Sequence, residues 1–150
     1  MSKVALLQKG FLFQNFTPHE LQLITETVTE RWASVGSIIF GENAPADSLF
    51  VIQQGTVEIV KEGGENKEVV VARLSEGAHF GEMAFVDRAP RAAAARACEN
   101  TKLIELPYAA LERIVATQPI IGLKLYHSIA KTLCARIRQT TNDLSHLYVP

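Results

Sequence analysis

The sequence predicts an α+β domain, mainly β, in which short antiparallel strands are flanked by helices at both ends. Three observations carry this. The middle of the chain strings together short β-branched runs separated by glycines and polar clusters. The first segments place apolar residues at helical spacing behind a capping signal. The last third repeats apolar residues in steps of four and three. At 150 residues this is one domain's worth of chain, long enough to bury a substantial core.

Val4 to Phe16 predicts a short helix whose Phe11, Leu12, Phe13 and Phe16 need something to pack on. Thr17-Pro18-His19-Glu20 is a helix start: Thr17 can cap, Pro18 suits the first helical position and Glu20 completes a capping box. Leu21, Ile24, Val28 and Trp32 continue at helical spacing, so residues 1–35 read as N-terminal helices. From Gly36 the pattern changes. Ile38-Ile39-Phe40, Leu49-Phe50-Val51-Ile52, Val57-Glu58-Ile59-Val60 and Val69-Val70-Val71-Ala72 read as strands, with a loose hairpin connection at Glu62–Lys67. Regular short strands of this kind point to a sandwich or a jelly-roll barrel over residues 36–106. Pro107 opens a helix carrying Leu111, Ile114 and Val115, and Gln118-Pro119 ends it. In the longer helix that follows, Tyr126, Ala130, Leu133, Ile137, Thr140, Leu144 and Leu147 form a heptad seam, so residues 107–148 read as C-terminal helices. The first half of that seam can pack on the barrel. The rest outruns it, which favours a parallel pairing with a second copy across a two-fold axis.

Composition excludes several classes. Fifteen basic against sixteen acidic side chains leave no electrostatic footprint for nucleic acid or an anionic membrane. No apolar run approaches a membrane span, and Gln8 and Lys9 break the N-terminal apolar stretch before it could serve as a secretory signal. Cys98 and Cys134 lie far apart and read as buried small hydrophobes in a reducing compartment, so a cytoplasmic location is expected. His19, His79, His127 and His146 show no metal-site spacing, and no cofactor is expected. No nucleophile and base sit at a catalytic spacing, so the chain does not read as an enzyme.

One polar constellation remains, at residues 79–93: His79-Phe80-Gly81-Glu82-Met83-Ala84, then Ala89-Pro90-Arg91-Ala92-Ala93. Gly81 lets backbone N–H groups come close to an anion, and the segment from Glu82 can open a short helix whose N-terminus favours negative charge. Glu82, when ionised, only accepts hydrogen bonds and so suits a sugar hydroxyl. Arg91 offers a fork matching two phosphate oxygens. A carboxylate beside a phosphate is repelled unless the arginine neutralises both.

This segment resembles the phosphate-binding cassette of the cyclic nucleotide-binding domain family, which includes protein kinase A regulatory subunits, cyclic-nucleotide-gated channels and bacterial catabolite activator proteins. The resemblance implies an antiparallel β-roll or jelly-roll barrel and a cyclic nucleoside monophosphate as ligand. It makes Glu82 the acceptor of the ribose 2′-hydroxyl and Arg91 the phosphate ligand, with Gly81 and the N–H groups of Met83, Ala84 and Ala92 completing the cradle. Ala92 lacks the hydroxyl that cyclic GMP-preferring relatives often carry there, which tilts the choice to cyclic AMP. Val70 and Val71 would line the base pocket. Residues 137–144 resemble the activators' dimer helix, on which Thr140 would meet the nucleotide of its own subunit and Thr141 the one across a homodimer. Local propensity makes Arg91–Arg96 a helix, since alanine is the best helix former. The resemblance makes it a strand, with Thr101–Leu106 as hairpin partner. The strand is preferred because Pro90 interrupts the cassette helix. Relatives that bind DNA carry a helix-turn-helix after the dimer helix, whereas this chain ends three residues beyond Leu147, so DNA binding is not expected unless the chain is a fragment. The reading is therefore a sensor module whose helices move when a cyclic nucleotide binds, read by a protein effector the sequence does not identify. The alternative is an interaction module, or a piece of a transcription regulator, with another ligand or none.

Overall fold

The computed structural model describes residues 2–147. The side chain of Leu147, with which the heptad reading ends, lies outside what is described, as does residue 148. The chain opens with α1 (Lys3–Lys9), capped by Ser2, and a 3-10 turn at Phe11–Phe13. Leu12, Phe13 and Phe16 are buried, but Phe11 is 76% exposed. The capping box forms as read: the Thr17 hydroxyl accepts from the Glu20 N–H at 3.2 Å and the Glu20 carboxylate accepts from the Thr17 N–H at 2.7 Å, opening α2 (Pro18–Thr25).

That helix stops earlier than its spacing implies. β1 (Thr29–Ala33) begins four residues later and pairs antiparallel with β8 (Thr101–Pro107) from Thr29 opposite Glu105 to Ala33 opposite Thr101. Trp32 lies on that strand and is 66% exposed. A five-pair ladder to a distant segment overrides a local period that only two residues, Val28 and Trp32, were extending. The helical region thus ends before residue 35 and the β-roll starts before residue 36.

β2 (Ile38–Phe40), β3 (Ser48–Gln54), β4 (Val57–Glu62), β5 (Glu68–Leu74), β6 (His79–Phe80) and β7 (Ala94–Ala97) complete the strands. They form two four-stranded antiparallel sheets, ordered β1-β8-β3-β6 and β2-β7-β4-β5. β4 and β5 are the expected hairpin. β7 and β8 are not: β7 pairs with β2 and β4 in one sheet, β8 with β1 and β3 in the other. The strand at the alanines also starts only at Ala94. It holds against helix propensity because it is central in its sheet, where ladders form on both edges and the small Ala95 and Ala97 bury completely.

Two cores result. Between the sheets lie Phe50, Ile52, Val57, Phe80 and Leu103, with the Phe50 and Phe80 rings stacked at 5.2 Å. Outside the first sheet, Leu49, Val51, Ile104 and Leu106 meet the N-terminal helices, α4 (Tyr108–Thr117) and α5 (Pro119–Leu147). β3 is therefore buried on both faces, which is why it reads as an unbroken apolar run. α5 anchors through Ile121, Leu125 and Ile129. Farther along, Ile137 is 64% and Leu144 50% exposed. Cys134 is exposed on this helix rather than buried, and Cys98 is only partly buried. Among the described residues no helix is long and apolar enough to cross a membrane.

Candidate functional site

After β6 the backbone turns at Gly81 (φ 84°), a left-handed conformation open to glycine. Space enforces the same choice, because a Cβ there would lie 2.8 Å from Arg91 Nη1 and 3.3 Å from the Ser48 carbonyl oxygen. Glu82 then takes the N-cap position of α3 (Met83–Asp87) without a side-chain bond to it, and the first residues of that helix, Met83 and Ala84, carry N–H groups with no intrahelical acceptor. The chain reverses at Arg88 and returns through Pro90 to Arg91. There the Arg91 N–H donates to the Ala44 carbonyl at 2.9 Å and the Arg91 carbonyl accepts from the Asn43 N–H at 2.8 Å.

The Arg91 side chain is 5% exposed. Its Nη1 donates to the Gly81 carbonyl at 2.9 Å and the Tyr108 hydroxyl at 3.2 Å, and its Nη2 to the Ser48 carbonyl at 2.6 Å. The guanidinium carbon lies 4.0 Å from the Phe40 ring centroid, and Nε is buried without a partner. None of these partners is an anion. Tyr108 in turn donates its hydroxyl to the Gly81 carbonyl, and burial raises its pKa while Arg91 acts the other way.

Glu82 is 1% exposed, and its partner corrects the sequence reading. Arg91 was expected to neutralise it. Instead Arg136 on α5 donates Nη1 to Glu82 Oε1 and Nη2 to the His79 carbonyl at 3.0 Å. A carboxylate this deeply buried needs a charged partner at hydrogen-bond range, and Arg136 supplies it from a helix 54 positions away. Sequence reasoning missed Arg136, although it lies four residues before Thr140 and so on the same helix face. His79 is 3% exposed, with Nε2 3.8 Å from Glu82 Oε1. Burial lowers its pKa, Glu82 works against that and Arg136 adds to it.

Both charged residues open on one cavity of about 570 Å³. Gly81, Glu82, Met83, Ala84, Arg91 and Ala92 line it, joined by Val71 from β5 and Thr140 from α5. Val70 does not line it, whereas Val71 and Ala72 do; the β4–β5 register shifts between Ile59 and Val60, which face Ala72 and Val70, so Val71 is the extra residue of a bulge. Thr141 also lies outside the lining, about 100° around the helix from Thr140. The Thr140 hydroxyl donates to the Arg136 carbonyl at 3.0 Å. Phe40, Ile59, Lys61, Gln139 and Asp143 also line it, and the sequence reading gave none of these a part in the site. The site holds a buried cation, a buried acid and apolar walls, an arrangement suited to gripping an anionic ligand with a sugar hydroxyl.

A family model described as the cyclic nucleotide-binding domain matches residues 30–118. The CRP-like cAMP-activated global transcriptional regulator of Mycobacterium tuberculosis is 25% identical over 142 residues, covering 95% of this chain and 62% of that protein. A crystal structure of a cyclic nucleotide-binding domain from Methylobacillus flagellatus matches with a TM-score of 0.86 at 25% identity, covering 99% of this chain and 83% of the other. The Thermus thermophilus catabolite activator protein matches with a TM-score of 0.79 at 27% identity, covering 92% of this chain and 63% of the other. The chain thus spans less than two thirds of the length of the regulators it matches. Because the family model runs across both the Glu82 and the Arg91 sides of the cavity, the chain belongs to the cyclic nucleotide-binding domain family.

Proposed function

We propose that the protein is a sensor module that binds a cyclic nucleoside monophosphate, cyclic AMP in preference to cyclic GMP, and moves α5 in response. One observation carries the reading. Arg91 is a buried cation that, among the described residues, faces the cavity with no carboxylate against it. Burying a charge without a counter-ion is costly, and a phosphate in the cavity relieves that cost. Glu82, held by Arg136 through Oε1, keeps its other oxygen for a ribose hydroxyl. Val71 and Thr140 line the same cavity and are assigned to the base, and Ala92 offers no hydroxyl to a guanine. Ligand contact with Glu82 bears on Arg136, and so couples the cavity to α5. The ligand shifts α5 only by as much as its affinity differs between the two arrangements.

Isothermal titration tests this. Cyclic AMP binds the parent more tightly than cyclic GMP, and Arg91→Ala, checked for folding by circular dichroism, weakens binding by about 2–5 kcal/mol. Equal affinity in parent and variant overturns the assignment of Arg91, and tighter binding of cyclic GMP overturns the base preference. The outward stripe of Leu123, Tyr126, Ala130, Ile137 and Leu144 is exposed along α5, and we assign it to a second copy of this chain. The mycobacterial relative is a cAMP-activated transcriptional regulator, and the match covers 62% of its length. No catalytic role is proposed.

A further inference from the structure

His79 is a buried titratable side chain at the site to which the reading above gives no task. Its ring is 3% exposed and Nε2 has no hydrogen-bond partner among the described residues. That nitrogen lies 3.8 Å from Glu82 Oε1, the same oxygen that accepts from Arg136. The gap is longer than a hydrogen bond, and a shift of about 1 Å closes it. One carboxylate oxygen therefore has two cationic suitors, one on β6 and one on α5.

We propose that His79 is an acid-operated release for α5: on taking a proton, its ring competes with Arg136 for Glu82 and frees the C-terminal half of the helix from the cavity mouth. The charged groups acting on the ring are Glu82, just past its own strand, and Arg136 from α5. Its register partner on β3, Val51, carries no charge. The guanidinium disfavours a proton on His79 and the carboxylate favours it. The arrangement with Arg136 withdrawn thus binds the proton more tightly, and by reciprocity the proton favours that arrangement. Burial keeps the ring neutral while the helix is latched, so the release is off until the medium acidifies. Past Leu133 the helix has few other ties: Ile137 and Leu144 are exposed, while Arg136 holds both Glu82 and the His79 carbonyl.

The inference deepens the proposed function, since it regulates that cavity, yet its test needs no nucleotide. Hydrogen exchange on the full chain is compared at about pH 7.5 and about pH 5, the lower point set well under the ordinary imidazole value because burial lowers that of His79, with correction for intrinsic exchange. Residues 133–147 lose about tenfold protection at the lower pH while the β-roll keeps its own. His79→Phe removes the pH response, and Arg136→Ala exchanges fast at both pH values. In a nuclear magnetic resonance titration the His79 midpoint moves upward in Arg136→Ala, a readout that survives if His79→Phe fails to fold. Equal protection of α5 at both pH values, a response that persists in His79→Phe, protection lost evenly over the whole chain, or an unmoved midpoint in Arg136→Ala would each overturn the proposal. Failure to bind cyclic nucleotides leaves every one of these outcomes intact, so the two readings fail separately.

Discussion

Tyr108 shows how much of the site rests on one hydroxyl group. It donates to the Gly81 carbonyl and accepts from Arg91, so it fixes the turn and the guanidinium together. Tyr108→Phe should cost about 1 kcal/mol in urea unfolding, and cyclic AMP affinity should fall several-fold, because Arg91 loses a partner that orients it. Unchanged affinity would mean that the Ser48 and Gly81 carbonyls suffice. His79 gives a pH prediction with a definite sign. Its folded pKa lies below the unfolded value of 6.5, so the unfolded chain binds the extra proton. The stability from its neutral burial is complete above that value and falls as the pH drops through and below it. Urea unfolding of the parent should therefore weaken below pH 6.5 more than that of His79→Phe. Gly81, Glu82 and Arg91 were legible because their chemistry is local, at fixed spacing within eleven residues. Arg136 and Tyr108 were not, since only the fold brings them to that segment.

At the scale of elements, the joint between α4 and α5 is set by Gly122. A Cβ at this position would lie 2.8 Å from Val115 Cγ1, so the two helices approach as closely as glycine permits. Gly122→Val should lower the thermal midpoint, at a cost of about 1–3 kcal/mol, by forcing the helices apart. A midpoint at or above that of the parent would show that Val115 gives way freely. The capped helix α2, the β4–β5 hairpin and the helix after Pro107 were readable because caps, turns and proline act within a few residues. Trp32 and the alanine run were harder. Helical spacing claimed Trp32 and helix propensity claimed the alanines, but ladders to strands far along the chain decided both. The partner of β7 was misread for the same reason: sequence neighbours here belong to opposite sheets.

For the whole molecule, the seam on α5 divides. Leu133 packs partly on the core and Thr140 lines the cavity, whereas Ala130, Ile137 and Leu144 face outward. The sequence period located the stripe but not the rotation of the helix, because that rotation is set by how Ile121, Leu125 and Ile129 seat on the barrel. If a second copy covers the outward side, Ile137→Glu with Leu144→Glu should convert a dimer to a monomer in sedimentation velocity, leaving the thermal midpoint of the barrel nearly unchanged. A parent that sediments as a monomer at all concentrations would dispose of the assignment. β3 has a consequence at the same scale. Leu49 and Val51 belong to the helical layer while Phe50 and Ile52 belong to the barrel, so four consecutive residues are common property of both. Neither layer can melt alone without stripping one side of that strand, and heat should therefore dissolve the two as a single cooperative unit.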